Sequence, residues 1–178
     1  MILDIKTSAQ RTISDIEMSV KNLSSQPHLT IIMVGNNSAS EVYVRNKIRT
    51  CESIGIKATL MHFPHSTTSE LISEIQHLNS DATVHGILVQ SPLPETIPAQ
   101  EIFDAIDPLK DVDGFCSTNI ARLYSGDESG LVPGTPKGVM KILEEYFQVQ
   151  RAKSKVQSDG SLKNSDEDLI ERVGNPQL

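Results

Sequence analysis

Short apolar runs alternate with segments of helical spacing through the first half of the chain. Three apolar runs predict strands, at residues 29–35, 57–63 and 84–90. Helical spacing predicts helices at residues 4–24, at residues 39–54 and behind a Ser/Thr-x-x-Glu capping box that begins at Thr67. This alternation of strands and helices is typical of an α/β fold with a parallel sheet. We therefore predict an α-β-α sandwich.

After the third predicted strand the pattern becomes less regular. Prolines punctuate a connection that holds a predicted short helix at residues 99–105. A further helix is predicted to open with Thr135 as its N-terminal cap. The sequence beyond that helix is polar, so we predict one domain over residues 1–147 and a mobile tail over residues 148–178, with a short helix at 166–172.

The charge balance narrows the class of partner. Over 178 residues the formal net charge is -7, and the pI is about 5.2. Because phosphate contacts need clustered Lys and Arg, nucleic acid is not expected as a partner. No apolar run is long enough to span a membrane, and Asp4, Asp15 and Glu17 do not suit a secretory or mitochondrial leader. The sequence thus predicts a cytoplasmic protein without a membrane span.

Neither the cysteines nor the histidines have the spacing of a metal site. The two cysteines, Cys51 and Cys116, lie far apart and belong to no Cys-x-x-Cys pair, so free thiols are expected. The five histidines show no His-x-x-x-His spacing. The segment from Asp111 to Gly114 matches the start of a calcium loop but lacks the later glutamate of such a loop. No metal is therefore predicted.

Tyr43 and Lys47 lie one turn apart on the helix that follows the first strand, so they share a helix face. In a parallel sheet, ligands gather near the edge where the strands end. One interpretation makes Tyr43 an aromatic platform and Lys47 a proton carrier, since a lysine in a dry pocket can act near neutral pH. The alternative is a half-buried tyrosine beside a solvated lysine, and spacing alone favours this alternative.

Three further segments have both a chemical and a purely structural interpretation. Gln90 ends the third strand, where its amide either caps the sheet edge or points into a cleft. Asp113 precedes Gly114 in a turn-like loop, so it either shapes the turn or presents a carboxylate. Residues 133–138 begin a helix, and its free N–H groups either bind an anion or serve the helix start alone.

Four strings occur in a characteristic order: VGNNSASEVYVRNK, GILVQSPLP, DPLKDVDGF and PGTPKG. Together they resemble the methylenetetrahydrofolate dehydrogenase/methenyltetrahydrofolate cyclohydrolase family, from near the N-terminus to about Phe147. The resemblance implies an enzyme of one-carbon metabolism and purine biosynthesis. Such enzymes oxidise 5,10-methylenetetrahydrofolate with NADP or NAD and hydrolyse the methenyl product to 10-formyltetrahydrofolate.

The resemblance also implies roles for the candidate residues. The catalytic lysine of the family matches Lys47, and the tyrosine that stacks on the folate matches Tyr43. The glutamine that hydrogen-bonds the lysine and tunes its proton affinity matches Gln90. The aspartate that holds the pterin ring matches Asp113. Lys47, Gln90 and Tyr43 are thus the expected catalytic residues, and the folate is expected to contact Tyr43, Asp113 and Gln90.

The chain departs from the family pattern in two places. Gly134 stands where the family usually has a cysteine. Family chains normally continue beyond the position of Phe147 into a nicotinamide-binding Rossmann domain, which this sequence does not display. Residues 172–176 resemble only the end of its phosphate loop. We therefore predict a chain truncated before that domain, with no evident NADP or NAD site and with doubtful dehydrogenase activity.

Two alternatives to a working enzyme follow from this departure. The chain could be a non-catalytic folate-binding or interaction module, or a fragment whose remainder is encoded elsewhere. The resemblance implies a homodimer as well, although family dimers form largely through the second domain.

Overall fold

A computed structural model describes residues 5–127 and 129–159, with side chains described as far as residue 151. The helices are α1 Ile5–Lys21, α2 Ser38–Ser53, α3 Thr68–Ser80, α4 Ala99–Asp104, α5 Ser117–Ser125 and α6 Gly134–Asp159. The strands are β1 His28–Val34, β2 Lys57–Phe63 and β3 Gly86–Val89. The predicted strands are thus confirmed, with β3 shorter than its apolar run.

The strands form a parallel sheet in the order β2-β1-β3. The register pairs Ile31 of β1 with Leu60 of β2 and with Leu88 of β3. Because all the strands point the same way, their carboxyl ends meet at one edge of the sheet. This edge carries the turns that follow Val34, Phe63 and Val89.

Side-chain alternation along the strands builds a core on each face of the sheet. On one face, Ile32 of β1 and Ile87 of β3 pack with α3 and α4, through residues such as Leu71 and Ile102. On the other face, the buried residues that pack together are Ile31, Met33, Leu88 and, from α2, Val44. These layers confirm the predicted α-β-α arrangement.

Side-chain caps begin two of the helices in the structure. Asn37 caps α2, because its side chain accepts a hydrogen bond from the Ser40 backbone N–H at 3.1 Å. Thr67 and Glu70 form the predicted capping box at the start of α3. Both caps place the following helix directly after the carboxyl end of a strand.

Three features of the C-terminal part differ from the sequence prediction. Helix α5 was not predicted, because it is only nine residues long and follows an irregular connection rich in proline. Helix α6 begins at Gly134, before the predicted cap Thr135, and it continues to Asp159, past the predicted domain boundary at residue 147. The helix predicted at residues 166–172 lies outside the described residues.

The described chain divides into two compact units. One unit is Ile16–Gly134, which contains the sheet and all the candidate site residues. The other consists of the described parts of Met1–Asp15 and Thr135–Leu178, in which Ser8 and Val149 are buried. None of the helices in the described ranges is long and apolar enough to cross a membrane.

Candidate functional site

Gln90 extends β3 and faces helix α2. Its backbone N–H donates to the Ile32 carbonyl at 2.8 Å, which continues the pairing with β1. Leu88 packs with Val44 of α2, and alternation along the strand returns Gln90 to the face that Leu88 occupies. The side chain of Gln90 is therefore aimed at the next turn of α2, where Lys47 lies.

Lys47 Nζ donates a hydrogen bond to Gln90 Oε1 at 3.1 Å. The other end of the same amide is held as well, since Gln90 Nε2 donates to the Ser91 carbonyl at 2.6 Å. This second bond directs the oxygen, rather than the nitrogen, of the amide toward the lysine. The predicted pairing of Lys47 with Gln90 is thus present in the geometry.

Tyr43 does not share the environment of Lys47, although both lie on α2. The Tyr43 side chain is 65% exposed, whereas Lys47 is half-buried. This is the reverse of the alternative drawn from spacing, in which the tyrosine was half-buried and the lysine solvated. The structure brings Lys47 and Gln90 together and leaves the Tyr43 ring open to solvent.

Asp113 completes the set of candidate residues at this site. Burial raises the pKa of the Asp113 carboxyl, the charge of Asp111 raises it further, and the charge of Lys47 lowers it. Lys47 and Asp113 therefore interact through space. They do not form an ion pair, since the ion pairs of the described residues join Lys21 to Glu17 and Arg122 to Asp127.

The loop that carries Asp113 is organised by its neighbour Asp111. Asp111 is 1% exposed, and its carboxylate accepts hydrogen bonds from the backbone N–H groups of Gly114 at 3.0 Å and Cys116 at 2.9 Å. The Gly114 N–H also donates to the Asp111 carbonyl at 3.1 Å, which closes a turn. The turn role considered for Asp113 thus belongs to Asp111, and Asp113 remains available for a ligand.

Asn119, at the start of α5, ties this loop to two other segments. Its side chain is fully buried, and Nδ2 donates to Asp111 Oδ2 at 3.1 Å and to the Pro108 carbonyl at 2.9 Å. Its Oδ1 accepts from the Leu131 N–H at 3.3 Å. Sequence reasoning missed Asn119 because α5 itself was not predicted.

Lys110, the first residue of the KDVDGF string, anchors the loop to the end of α3. Its Nζ donates to the carbonyls of Leu78 at 2.9 Å, Asn79 at 2.8 Å and Asp81 at 2.8 Å. A lysine at this position satisfies carbonyl groups left free at the helix C-terminus and faces the negative end of the helix dipole. No local sequence pattern indicates this contact, since it joins distant segments.

Two glycines allow the loop to pack closely. A Cβ on Gly86 would lie 2.6 Å from Val112 Cγ1, so the loop rests directly on β3. Gly114 has φ +67°, and a Cβ there would lie 2.5 Å from the Leu131 carbonyl oxygen. Leu131 precedes the PGTPKG string, for which the anion-binding and the helix-start interpretations both stay open.

The remaining polar clusters offer no further centre for chemistry. In the described ranges no group of three or more His, Cys, Asp or Glu side chains is placed to hold a metal ion. Cys51 and Cys116 are free thiols, and burial raises the pKa of both. Cys116 instead caps α5, since its Sγ accepts from the Asn119 N–H at 3.4 Å.

The assembled geometry suits a polar heterocycle. The charge of an amine held by an amide acts on a half-buried carboxyl, and an open aromatic ring lies one helix turn from the amine. A carboxyl in such a setting can pair with ring N–H groups, and an amine can deliver or accept a proton. An aromatic face can stack on a planar ring.

Binding of a nicotinamide cofactor would require a suitable turn after one of the strands. Dinucleotide sites place a glycine-rich turn between a strand and a helix. In the described sheet, β1 leads through Gly35 and Asn36 to the Asn37 cap, β2 leads to Pro64, and β3 leads to Gln90. None of these described turns provides the glycine-rich cradle that such a cofactor would need.

Two solved relatives are associated with nicotinamide cofactors. The Trypanosoma brucei methylenetetrahydrofolate dehydrogenase-cyclohydrolase (FolD), 26% identical with a TM-score of 0.74, was solved with NADP. This chain covers 51% of that chain with 81% of its own length. The Saccharomyces cerevisiae 5,10-methylenetetrahydrofolate dehydrogenase, 25% identical with a TM-score of 0.70, is NAD-dependent. This chain covers 48% of that chain with 80% of its own length. FolD relatives therefore use NADP or NAD.

The part of the chain that contains the candidate site residues is similar to known proteins. Residues 3–113 match the family model described as tetrahydrofolate dehydrogenase/cyclohydrolase, catalytic domain. The bifunctional protein FolD of Sulfurihydrogenibium sp. is 43% identical over 151 residues, which are 82% of this chain and 53% of that protein. The crystal structure of the bifunctional enzyme FolD from Campylobacter jejuni is 41% identical with a TM-score of 0.78, over 82% of this chain and 53% of that chain. The chain spans about half the length of these relatives. It belongs to the tetrahydrofolate dehydrogenase/cyclohydrolase family, through the catalytic domain.

Proposed function

We propose that this chain binds a reduced folate and that Lys47 moves a proton during hydrolysis of 5,10-methenyltetrahydrofolate to 10-formyltetrahydrofolate. The observation that carries the proposal is the 3.1 Å hydrogen bond from Lys47 Nζ to Gln90 Oε1. The half-buried carboxyl of Asp113 supports it, because the charge of Lys47 acts on the pKa of that carboxyl. These groups match the chemistry of the substrate at both the reacting carbon and the pterin ring.

Each residue has a distinct part in the proposed reaction. Asp113 anchors the pterin ring through its carboxyl, and Tyr43 stacks on the bound folate. Water attacks the cationic methenyl carbon, and one proton of that water is released to solvent as the new C–O bond forms. The bond from the carbon to N5 then breaks, the second proton passes from the oxygen to N5, and the oxygen remains as the formyl C=O. Lys47 carries the proton between the attacking water and the leaving nitrogen, while Gln90 holds the amine in place.

The proposal for this chain is confined to the folate side of the family reaction. Oxidation of 5,10-methylenetetrahydrofolate requires a nicotinamide ring held against the folate carbon. The described residues do not offer a cradle for that cofactor, so hydride transfer is not assigned to them.

A second candidate function is a folate-binding module without turnover. The exposure of Tyr43 favours it, because a ring that is 65% exposed leaves the site open to water on that side. Water around Lys47 would weaken the electrostatic stabilisation that proton transfer needs. The two candidates share the binding residues and differ only in whether the bound molecule is hydrolysed.

The test of catalysis is the rate of methenyltetrahydrofolate hydrolysis, followed as absorbance loss for the wild-type chain and Lys47→Ala. We expect the variant to lose about 100-fold or more of the enzymatic rate, which is the usual worth of a positioned proton carrier. Arg45→Ala is the matched control, since Arg45 is an exposed cation on the same helix, and its rate should equal that of the wild type.

Equal rates for Lys47→Ala and the wild-type chain would contradict the catalytic role of Lys47. Binding of tetrahydrofolate by a chain that hydrolyses no methenyltetrahydrofolate would favour the binding module instead. Absence of both binding and hydrolysis would overturn both candidates.

Four attributes stay predictions. One is the cytoplasmic location expected from the sequence, and the others are implied by the resemblance: a homodimer, a part in purine biosynthesis, and use of NADP or NAD by the complete reaction. The homodimer is checked by light scattering of the purified chain, which should give twice the mass of 19.5 kDa.

A further inference from the structure

We propose that Asp111 and Asn119 are positioning residues that hold the loop on which the Asp113 carboxyl is presented. We call this pair the Asp111–Asn119 clamp. The inference rests on the proposed function, because the folate contact of Asp113 belongs to that function. How the clamp holds the Asp113 loop can be tested without any ligand.

The clamp is a buried polar network in which every side-chain oxygen and nitrogen has a partner. Asp111 is 1% exposed and Asn119 is fully buried. The Asp111 carboxylate accepts from two backbone N–H groups and from Asn119 Nδ2, at 2.9 to 3.1 Å. Fully satisfied networks of this kind give a buried segment one defined geometry.

The hydrogen bonds of the clamp join residues that come before Asp113 in the sequence to residues that come after it. Asp111 lies before Asp113, and the N–H groups of Gly114 and Cys116 lie after it. The peptide units around Asp113 are therefore fixed by one carboxylate. The neighbouring side chains add packing contacts, since Val112 lies against Gly86 and the ring centroids of Phe115 and Phe103 are 5.5 Å apart.

Asn119 extends the clamp to the segments on either side of the loop. It joins Asp111 to the Pro108 carbonyl and to the Leu131 N–H, which precede and follow the loop in the chain. Removing the Asn119 amide would free these segments together. Asn119 carries no charge, so its loss acts on Asp113 through the position of the loop and through the carboxylate of Asp111.

The experiment compares Asn119→Ser with the wild-type chain by NMR titration of the Asp113 side-chain carboxyl. We expect the raised pKa of Asp113 to fall toward its ordinary value in Asn119→Ser, because a released loop exposes the carboxyl to water. Ile75→Val is the control. Ile75 is fully buried in the core on the opposite face of the sheet, so its variant lowers the Tm and leaves the pKa of Asp113 raised.

A folded Asn119→Ser protein in which the pKa of Asp113 is unchanged would overturn the inference, because a merely structural role lowers the Tm alone. Hydrogen exchange of the wild-type chain gives a second readout that needs no variant. The amides of Gly114 and Cys116 should exchange slowly, as core amides do. Exchange at the rate of an exposed loop would equally overturn the clamp.

Calorimetric titration with tetrahydrofolate connects the clamp to function. We expect Asn119→Ser to bind about tenfold more weakly than the wild-type chain, and Ile75→Val to bind equally well. Equal affinity of Asn119→Ser and the wild type would contradict the positioning role. If the wild-type chain itself does not bind tetrahydrofolate, the proposed function fails, while the NMR and exchange readouts still decide the clamp.

Discussion

The loop that carries Asp113 and the helix that carries Tyr43 differ in how their side chains are held. Asp113 is half-buried in a loop whose backbone is bound by the buried carboxylate of Asp111. Tyr43 stands on a regular helix, but its ring is 65% exposed. The loop of Asp113 thus forms one wall of the candidate site that is ordered before any ligand binds, the prebuilt wall. The Tyr43 ring forms the other, the open wall, which gains its contacts only with a ligand.

This difference indicates which substitutions should change the stability of the fold and which should change ligand binding. A prebuilt wall needs buried polar groups, which cost desolvation and must be fully paired. An open aromatic wall contributes little to folding and gains its contacts only when a ligand covers it. Substitutions on the loop should therefore change folding, whereas substitution of Tyr43 should change binding alone.

The largest expected effect is on the prebuilt wall, with Gly114→Ala. Gly114 combines a positive φ of +67° with a Cβ position 2.5 Å from the Leu131 carbonyl oxygen. We expect the free energy of unfolding to fall by about 2 to 4 kcal/mol, from backbone strain and overpacking together. Urea unfolding measures this change.

Gly126→Ala separates those two causes. Gly126 has a similar φ of +75°, but no atom lies within 4 Å of its Cβ position. Its loss should be about 1 to 2 kcal/mol, from backbone strain alone. Equal losses at Gly114 and Gly126 would mean that the loop does not pack against Leu131 as closely as described.

On the open wall, Tyr43→Ala is expected to leave stability within about 0.5 kcal/mol of the wild type, because an exposed side chain loses few contacts. The affinity for tetrahydrofolate should fall by about 1 kcal/mol, which is the usual worth of a stacked ring. Urea unfolding and calorimetric titration measure the two quantities on the same protein. A large loss of stability without a loss of affinity would reverse the assignment of the two walls.

The smallest expected effect is the pH dependence that Asp113 adds to stability. Burial raises the pKa of Asp113 in the folded chain above its unfolded value. The folded state therefore binds this proton more tightly, and stability is lost as pH rises through the unfolded and then the folded pKa. Asp113→Asn removes that loss. It should be more stable than the wild type at pH 7, and the difference should vanish below about pH 4.

Asp127→Asn should change the pH dependence of stability in the opposite direction to Asp113→Asn. Hydrogen bonds from Ser129 lower the pKa of the exposed Asp127 carboxyl, so its contribution is present at neutral pH and is lost in acid. Asp127→Asn should be less stable than the wild type at pH 7 and equal to it in acid. Thermal unfolding of both variants across this pH range checks the two signs together.

Much of the fold and part of the site could be predicted from local pattern. Apolar runs located the strands, and the cap at Thr67 followed from capping chemistry. The direction of Gln90 follows from strand alternation with Leu88. These features depend on residues that are close in sequence, so a single chain displays them.

The rest depends on contacts between distant segments. Asp111 and Asn119 meet through the packing of α5, and Lys110 meets α3 across the sheet edge. Such buried polar partners leave no periodic trace in the sequence. The exposure of Tyr43 could not be predicted either, because its spacing from Lys47 places both residues on one helix face regardless of what covers that face.

The most direct test of the account is calorimetric titration of the purified chain with tetrahydrofolate, for the wild type, Asp113→Asn and Arg45→Ala. The account predicts saturable binding by the wild type and by Arg45→Ala. It also predicts affinity about tenfold weaker or worse for Asp113→Asn, because a charge-assisted hydrogen bond to the pterin is lost. Binding of equal strength by Asp113→Asn and the wild type, or no binding by the wild type, would contradict the central claim that these residues form a folate site.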